Sequence, residues 1–180
     1  MMGRIAETSP SLKARIAGVF YLLNILMGAL ALFVSGGLGI ATILVATLCY
    51  IVVTLLFYDI FKPVSRGLSL LAAFFSLAGC AMGALSPFHL SPANPLIFFG
   101  FYCLLIGYLI FRSTFLPRIL GVLMAIGGLG WLTFLSPALA SHLSPYSLAP
   151  GILGEGSLTL WLLVVGVNAQ RWKEQASAAE

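Results

Sequence analysis

Charge is scarce in this sequence. Only 8% of its residues are Asp, Glu, Lys or Arg, against about 25% in an ordinary soluble domain. Hydrophobic residues make up 61%, and the mean hydropathy is +1.08. A soluble fold has no way to hide that much apolar surface. Residues that carry catalysis or hold metals are equally few: five acids, two histidines and three cysteines in 180 positions. Cys49, Cys80 and Cys103 stand singly in apolar stretches without CxxC spacing, which suggests neither a zinc site nor a disulfide framework. They read as small packing residues. A Gly-rich phosphate loop and a GxSxG nucleophile elbow are both missing, so the sequence leans away from an enzyme and points to no cofactor and no metal.

What the sequence does contain is apolar runs, at 16–35, 38–60, 67–86, 95–111, 117–136 and 148–169. A span needs about 20 such residues to cross a hydrocarbon layer of roughly 30 Å, so six would take up about two thirds of the chain. The expected fold is all-α, a polytopic bundle of six transmembrane helices. Residues 1–14 form an N-terminal tail, 15–170 the membrane domain and 171–180 a C-terminal tail, with the lipid bilayer as the principal partner. Only Ser35-Gly36-Gly37 separates the first two runs, which forces an antiparallel hairpin.

Basic residues then set the orientation, because cytoplasmic connections are enriched in Lys and Arg. Arg4, Lys13 and Arg15 precede the first run, Lys62 and Arg66 join the second to the third, Arg112 and Arg118 join the fourth to the fifth, and Arg171 and Lys173 follow the sixth. The other three connections carry neither Lys nor Arg. This partition predicts both termini in the cytoplasm, and it accounts for the net charge of +4 without any nucleic-acid partner. The basic start followed by Ala29-Leu30-Ala31 would also suit a cleavable leader. The run continues through Leu32, Phe33 and Val34 to the glycine turn, however, which favours a retained span.

An internal echo runs through the middle of the chain. Tyr58-Asp59-Ile60-Phe61-Lys62 is matched by Tyr108-Leu109-Ile110-Phe111-Arg112, and Leu85-Ser86-Pro87 by Leu135-Ser136-Pro137. Each of the latter leads into a His-Leu-Ser-Pro segment, at His89 and His142. A recurrence of about fifty residues suggests a duplicated helical hairpin with both copies in one orientation. The alternative is that Tyr, basic and Ser-Pro residues are what membrane interfaces favour.

Glu155 is the acid that needs explaining. Glu7, Glu174 and Glu180 lie in the tails, and Asp59 has Lys62 and Arg66 nearby. Gly154-Glu155-Gly156, in contrast, lies inside the sixth run, ~10 Å below its outer end at 1.5 Å per residue. A carboxylate there costs roughly 2.5–3.5 kcal/mol or more, so it should face the bundle interior and mark a site or a pathway. The flanking glycines would let a second helix or a ligand come close. The alternative is interhelical glue, with Asn24 near the middle of the first helix as partner. His89, His142, Asn94 and Tyr146 fall in the charge-free connections on the same side as Glu155 and could join it in a polar cluster at the outer mouth. Two imidazoles and a carboxylate are a conceivable metal set, but neither histidine sits in HxxxH or HExxH spacing. Gly79 and Gly83 form GxxxG in the third run, and Gly121, Gly127, Gly128 and Gly130 crowd the fifth, both suited to close helix approach. Trp131 and Trp161 read as lipid-facing or core, and Trp172, beside Arg171 and Lys173, as an interfacial anchor.

Several segments resemble a family. They are Arg15-Ile16-Ala17-Gly18-Val19-Phe20-Tyr21-Leu22, Phe61-Lys62-Pro63-Val64-Ser65-Arg66, Gly107-Tyr108-Leu109-Ile110-Phe111-Arg112, Leu116-Pro117-Arg118-Ile119-Leu120-Gly121, and the closing Glu155 with Leu160-Trp161-Leu162-Leu163 and Gly166-Val167-Asn168. The chain is similar over about 13–172 to small bacterial membrane proteins grouped as domain-of-unknown-function family 4386. The resemblance implies a multi-pass protein of the bacterial cytoplasmic (inner) membrane, and it carries over no catalytic residue. Two functional expectations remain. One is a binding or transport-type bundle for a small or amphipathic ligand around Glu155, forming a homo-oligomer because six helices are few for a standalone transporter. The other is a structural or accessory membrane protein whose buried polar residues only hold helices together. An intramembrane enzyme ranks below both, since no nucleophile and base pair is visible.

Overall fold

The computed structural model describes residues 9–144 and 146–178. Arg4, Glu7, Pro145 and Glu180 lie outside them. Among the described residues there are eight α-helices and no strands: α1 Pro10–Leu30, α2 Gly36–Phe61, α3 Arg66–Leu85, α4 Pro95–Arg112, α5 Arg118–Leu132, α6 Pro137–Leu143, α7 Ala149–Val164 and α8 Ala169–Ser177. Short 3₁₀ turns extend α3 through Ser86–Phe88 and α5 through Thr133–Leu135, and another, Tyr146–Leu148, leads into α7. Six of these segments are long and apolar enough to span a membrane: α1, α2, α3, α4, α5 and α7, counting the attached turns. The chain is an all-α, multi-pass bundle.

Helix ends fall where capping chemistry puts them. α1 begins six residues earlier than its apolar run, because the Ser9 hydroxyl accepts from the Leu12 N–H at 3.2 Å and Pro10 occupies the first turn, where no N–H is needed. Lys13 and Arg15 therefore ride on the helix. Ser65 caps α3, Asn94 caps α4 with Pro95 behind it, and Ser136 caps α6. α7 stops short of the expected 169 at Gly166, whose φ of +76° is left-handed and whose N–H bonds back to the Trp161 carbonyl at 3.0 Å. A glycine in this position closes a helix at no Cβ cost. Asn168 then starts α8 by accepting from the Arg171 N–H.

Each spanning helix packs against the next one in the chain, and α7 returns to α1, closing a ring of six. The described Lys and Arg residues all sit at one end of this ring, in the first turns of α1, on or beside the connections 62–65 and 113–117, and on α8. The other end carries the charge-free connections. Large apolar side chains such as Leu48, Phe74, Leu129 and Leu160 are more than 60% exposed on the outside, as lipid contact requires. The inside is filled by buried rings and aliphatics, among them Tyr21, Tyr50, Phe57, Tyr102, Ile106 and Met124.

Glycines set how closely the helices approach. A Cβ on Gly107 would lie 2.7 Å from the Gly121 carbonyl and one on Gly121 2.6 Å from the Gly107 carbonyl. Gly100 and Gly128 face each other in the same way, at 3.1 and 2.8 Å. Two glycines seven residues apart on α4 thus meet two glycines seven apart on α5, forming a backbone-to-backbone seam. The GxxxG of α3 behaves differently: Gly79 makes room for the Phe99 ring, and a Cβ on Gly83 would meet only Pro95, at 4.0 Å. The two Leu-Ser-Pro landmarks also diverge, since Ser86-Pro87 opens a 3₁₀ turn while Ser136-Pro137 opens α6.

Candidate functional site

Glu155 lies in the second turn of α7, in the half of the bundle that faces the charge-free connections, with 8% of its surface exposed. Its partners come from the two helices on its inner side. Trp131 Nε1, near the end of α5, donates to Glu155 Oε1 at 2.8 Å, and Cys103 Sγ, in the middle of α4, donates to the same oxygen at 3.4 Å. Both bonds end on Oε1. The site is built by spacing on α7: Gly151, one turn before Glu155, provides the surface on which the Trp131 ring lies, and a side chain at 151 would overlap that ring. Gly154 lets α7 approach the Leu123 carbonyl so closely that a Cβ would sit 2.6 Å from it, whereas Gly156 faces open space. Of the two glycines flanking Glu155, only the first serves close packing.

Three tyrosines complete the interior. The Tyr21 hydroxyl of α1 lies beside the Glu155 carboxyl and 3.4 Å from the Tyr50 hydroxyl of α2. The Tyr50 ring meets the Tyr102 ring of α4 with centroids 5.7 Å apart. The Tyr102 hydroxyl is buried and has no hydrogen-bond partner among the described residues. Phenols at this depth normally find a partner, and the Tyr50 side chain is the polar neighbour beside it. Among the described residues no Lys or Arg lies in this half, and the carboxyl is met by the edge of an indole and by a thiol.

The other residues expected near Glu155 are placed elsewhere. Asn24 is half-buried on α1, and the partners of Glu155 are Trp131 and Cys103. His89 is exposed in a left-handed conformation after the turn that ends α3, Asn94 is exposed and occupied in capping α4, His142 is exposed at the end of α6, and Tyr146 is 78% exposed. These four remain at the surface of the charge-free end, while Glu155 lies inside. Among the described residues no three His, Cys, Asp or Glu side chains are grouped to share a metal ion. Trp131, Cys103, Tyr21, Tyr50 and Tyr102 are the members that sequence reasoning missed. One signal for Trp131 was available: Gly151 and Glu155 are four residues apart on one face, a slot with an acceptor at its end.

Two clefts open at the basic end, away from Glu155. One is lined by residues of the α4–α5 connection and the α7–α8 corner, including Phe115, Trp161 and Arg171. The other lies between α1, the end of α2 and α8. α8 is tied down beside both, with Trp172 Nε1 donating to the Ile60 carbonyl at 2.8 Å and the Thr114 N–H donating to Gln175 Oε1 at 3.0 Å. Trp172 is thus bonded into the bundle.

The family model described as Domain of unknown function (DUF4386) matches residues 35–96 and 93–166. An uncharacterized protein of Archaeoglobus fulgidus is 29% identical over 127 residues, covering 64% of this chain and 76% of that protein. No solved structure matches the chain.

Proposed function

We propose that this chain, which belongs to the family described as Domain of unknown function (DUF4386), is a membrane-embedded binding or transport-type bundle whose site is the buried cluster around Glu155. The observation that carries this reading is a carboxyl group inside the ring with the hydrogen bonds of Trp131 and Cys103 on one oxygen and, among the described residues, no Lys or Arg in its half of the bundle. A buried acid without a counter-charge is costly unless it is protonated or meets a cation. The rings of Tyr21, Tyr50 and Tyr102 and their hydroxyls suit a small cation or a protonated amine. The ring of Trp131 lies over Gly151, so access involves its movement. The distribution of Lys and Arg favours both termini in the cytoplasm, and the resemblance in sequence favours a setting in the bacterial inner membrane.

The test is thermal unfolding of the detergent-purified chain with sodium, potassium, tetramethylammonium or a primary alkylamine, for wild type and Glu155→Gln. The binding reading expects at least one of these cations to stabilise wild type and none to stabilise the Gln variant. Identical responses across the panel would replace it with the second reading, a structural or accessory role, which is favoured by the two donors already satisfying Oε1.

A further inference from the structure

The cleft between α1, the end of α2 and α8 has a volume of about 440 Å³ and is lined by three lysines, Lys13, Lys62 and Lys173, around the single carboxylate of Asp59. Lys13 Nζ lies 2.7 Å from Asp59 Oδ2, and Lys62 Nζ lies 3.0 Å from Oδ1. The carboxylate is thereby saturated, with one ammonium on each oxygen. Lys173 makes no ion pair among the described residues. Among the described residues the lining therefore carries two positive charges in excess, three ammoniums against one carboxylate. Ser9 and Ser177 add hydroxyls to the wall. The Trp172 indole, half-buried and bonded to the Ile60 carbonyl, forms part of the wall and fixes α8 there.

Asp59 fixes the direction of two of these ammoniums, and the third, on Lys173, lines the same cleft without a carboxylate of its own among the described residues, so a second anion would relieve their mutual repulsion. We propose that this cleft binds a phosphate-bearing anion, with Lys62 and Lys173 on the phosphate oxygens and Asp59 as a positioning residue for Lys13 and Lys62. The cleft is at the basic end of the bundle, where the outer surface changes from apolar side chains to charged ones. An anionic lipid head group reaches it from the side, and a free phosphate reaches it from water. In both cases the recognising chemistry is the same: lysine point charges on a phosphate, within a cleft of limited volume.

The experiment uses the full chain in a neutral detergent and measures binding of dioctanoyl phosphatidylglycerol, dioctanoyl phosphatidylcholine and inorganic phosphate to wild type, Lys173→Gln and Arg112→Gln. Lys173 and Arg112 are both exposed, so neither substitution opens the core, and Arg112 is at the same end but outside the cleft. Phosphatidylglycerol is expected to bind more tightly than phosphatidylcholine, to weaken roughly fivefold in Lys173→Gln, the worth of one lysine near an anionic surface, and to be unchanged in Arg112→Gln. Inorganic phosphate matching phosphatidylglycerol, with the same dependence on Lys173, would identify the soluble source. Equal binding of the two lipids without phosphate binding would overturn the proposal. So would equal losses in both variants, because the attraction would then be diffuse.

Discussion

Trp131 and Glu155 are joined by a 2.8 Å hydrogen bond across the α5–α7 contact, with the indole lying on the bare backbone of Gly151. The bond gives the only side-chain N–H of Trp131 a partner and gives the acid one of its two donors. Replacing Glu155 with Gln keeps an acceptor for the indole, so unfolding should shift by no more than about 1–2 kcal/mol. Replacing it with Leu removes the acceptor and should cost ~1–3 kcal/mol for the unsatisfied indole. In a double-mutant cycle with Trp131→Phe and Glu155→Leu, measured by reversible unfolding in detergent, the double variant should lose about 1 kcal/mol less than the sum of the singles. Strict additivity would mean that the bond adds nothing.

Gly107 and Gly121 make the second prediction. Each would place a Cβ within 2.7 Å of the other's carbonyl, and backbone cannot yield as a flexible side chain can. Gly107→Ala or Gly121→Ala should therefore force α4 and α5 apart at a cost of about 1–3 kcal/mol. Gly156→Ala, which meets nothing within 4 Å, should be neutral or slightly stabilising, as alanine favours helix by up to ~1 kcal/mol. Unfolding of the three variants under one condition checks the order, and a Gly156 variant as damaged as the other two would refute it.

Much of this architecture was legible in the chain. Six apolar runs and alternating basic connections lead to six helices with the described charge at one end, and Glu155 stands out as a deep acid. Side-chain direction was harder to read. α2 is apolar on all sides, so hydropathy cannot say which face holds Tyr50, and α1, α4 and α7 are nearly as uniform. Trp131 and Cys103 therefore looked like lipid-facing or packing residues, and Asn24 looked like the natural partner for the acid. Pairing across helices depends on rotation about each axis. Here that rotation is fixed by small residues such as Gly100, Gly107 and Gly151, whose meaning emerges only once the facing helix is known. The amphipathic α8 was hidden for another reason: Gly166 and Asn168 interrupt the sequence just where the last span was expected to run on.

Gly166 supports the third prediction. At φ +76° an alanine pays the left-handed penalty of about 1–2 kcal/mol, and its Cβ would also come within 3.1 Å of Ser11 Oγ. Gly166→Ala should lower stability by that amount and loosen α8, so that amides of 169–177 exchange faster with deuterium while those in the centre of α4 do not. Equal change in both would signal global loss rather than release of the corner.

The last prediction concerns sidedness. The connections 62–65 and 113–117 and α8 share one end of the ring, and the connections 31–35, 86–94 and 133–148 share the other. Lys and Arg occur only at the first end among the described residues. Positive residues are retained in the cytoplasm during insertion, so a reporter active only inside should be active when fused after Lys62, Arg112 or Lys173 and silent after Ser91 or Ser144. A reporter active only outside should give the reverse. The charge bias can also be challenged directly. Moving two lysines into the 31–35 connection while replacing Lys13 and Arg15 with Gln should reduce the signal after Lys62 and raise dual or inverted insertion, because the first helix usually dominates orientation. A single reversed fusion in the unaltered chain would break the six-span order, whereas reversal of all five would keep the bundle and turn it over in the membrane.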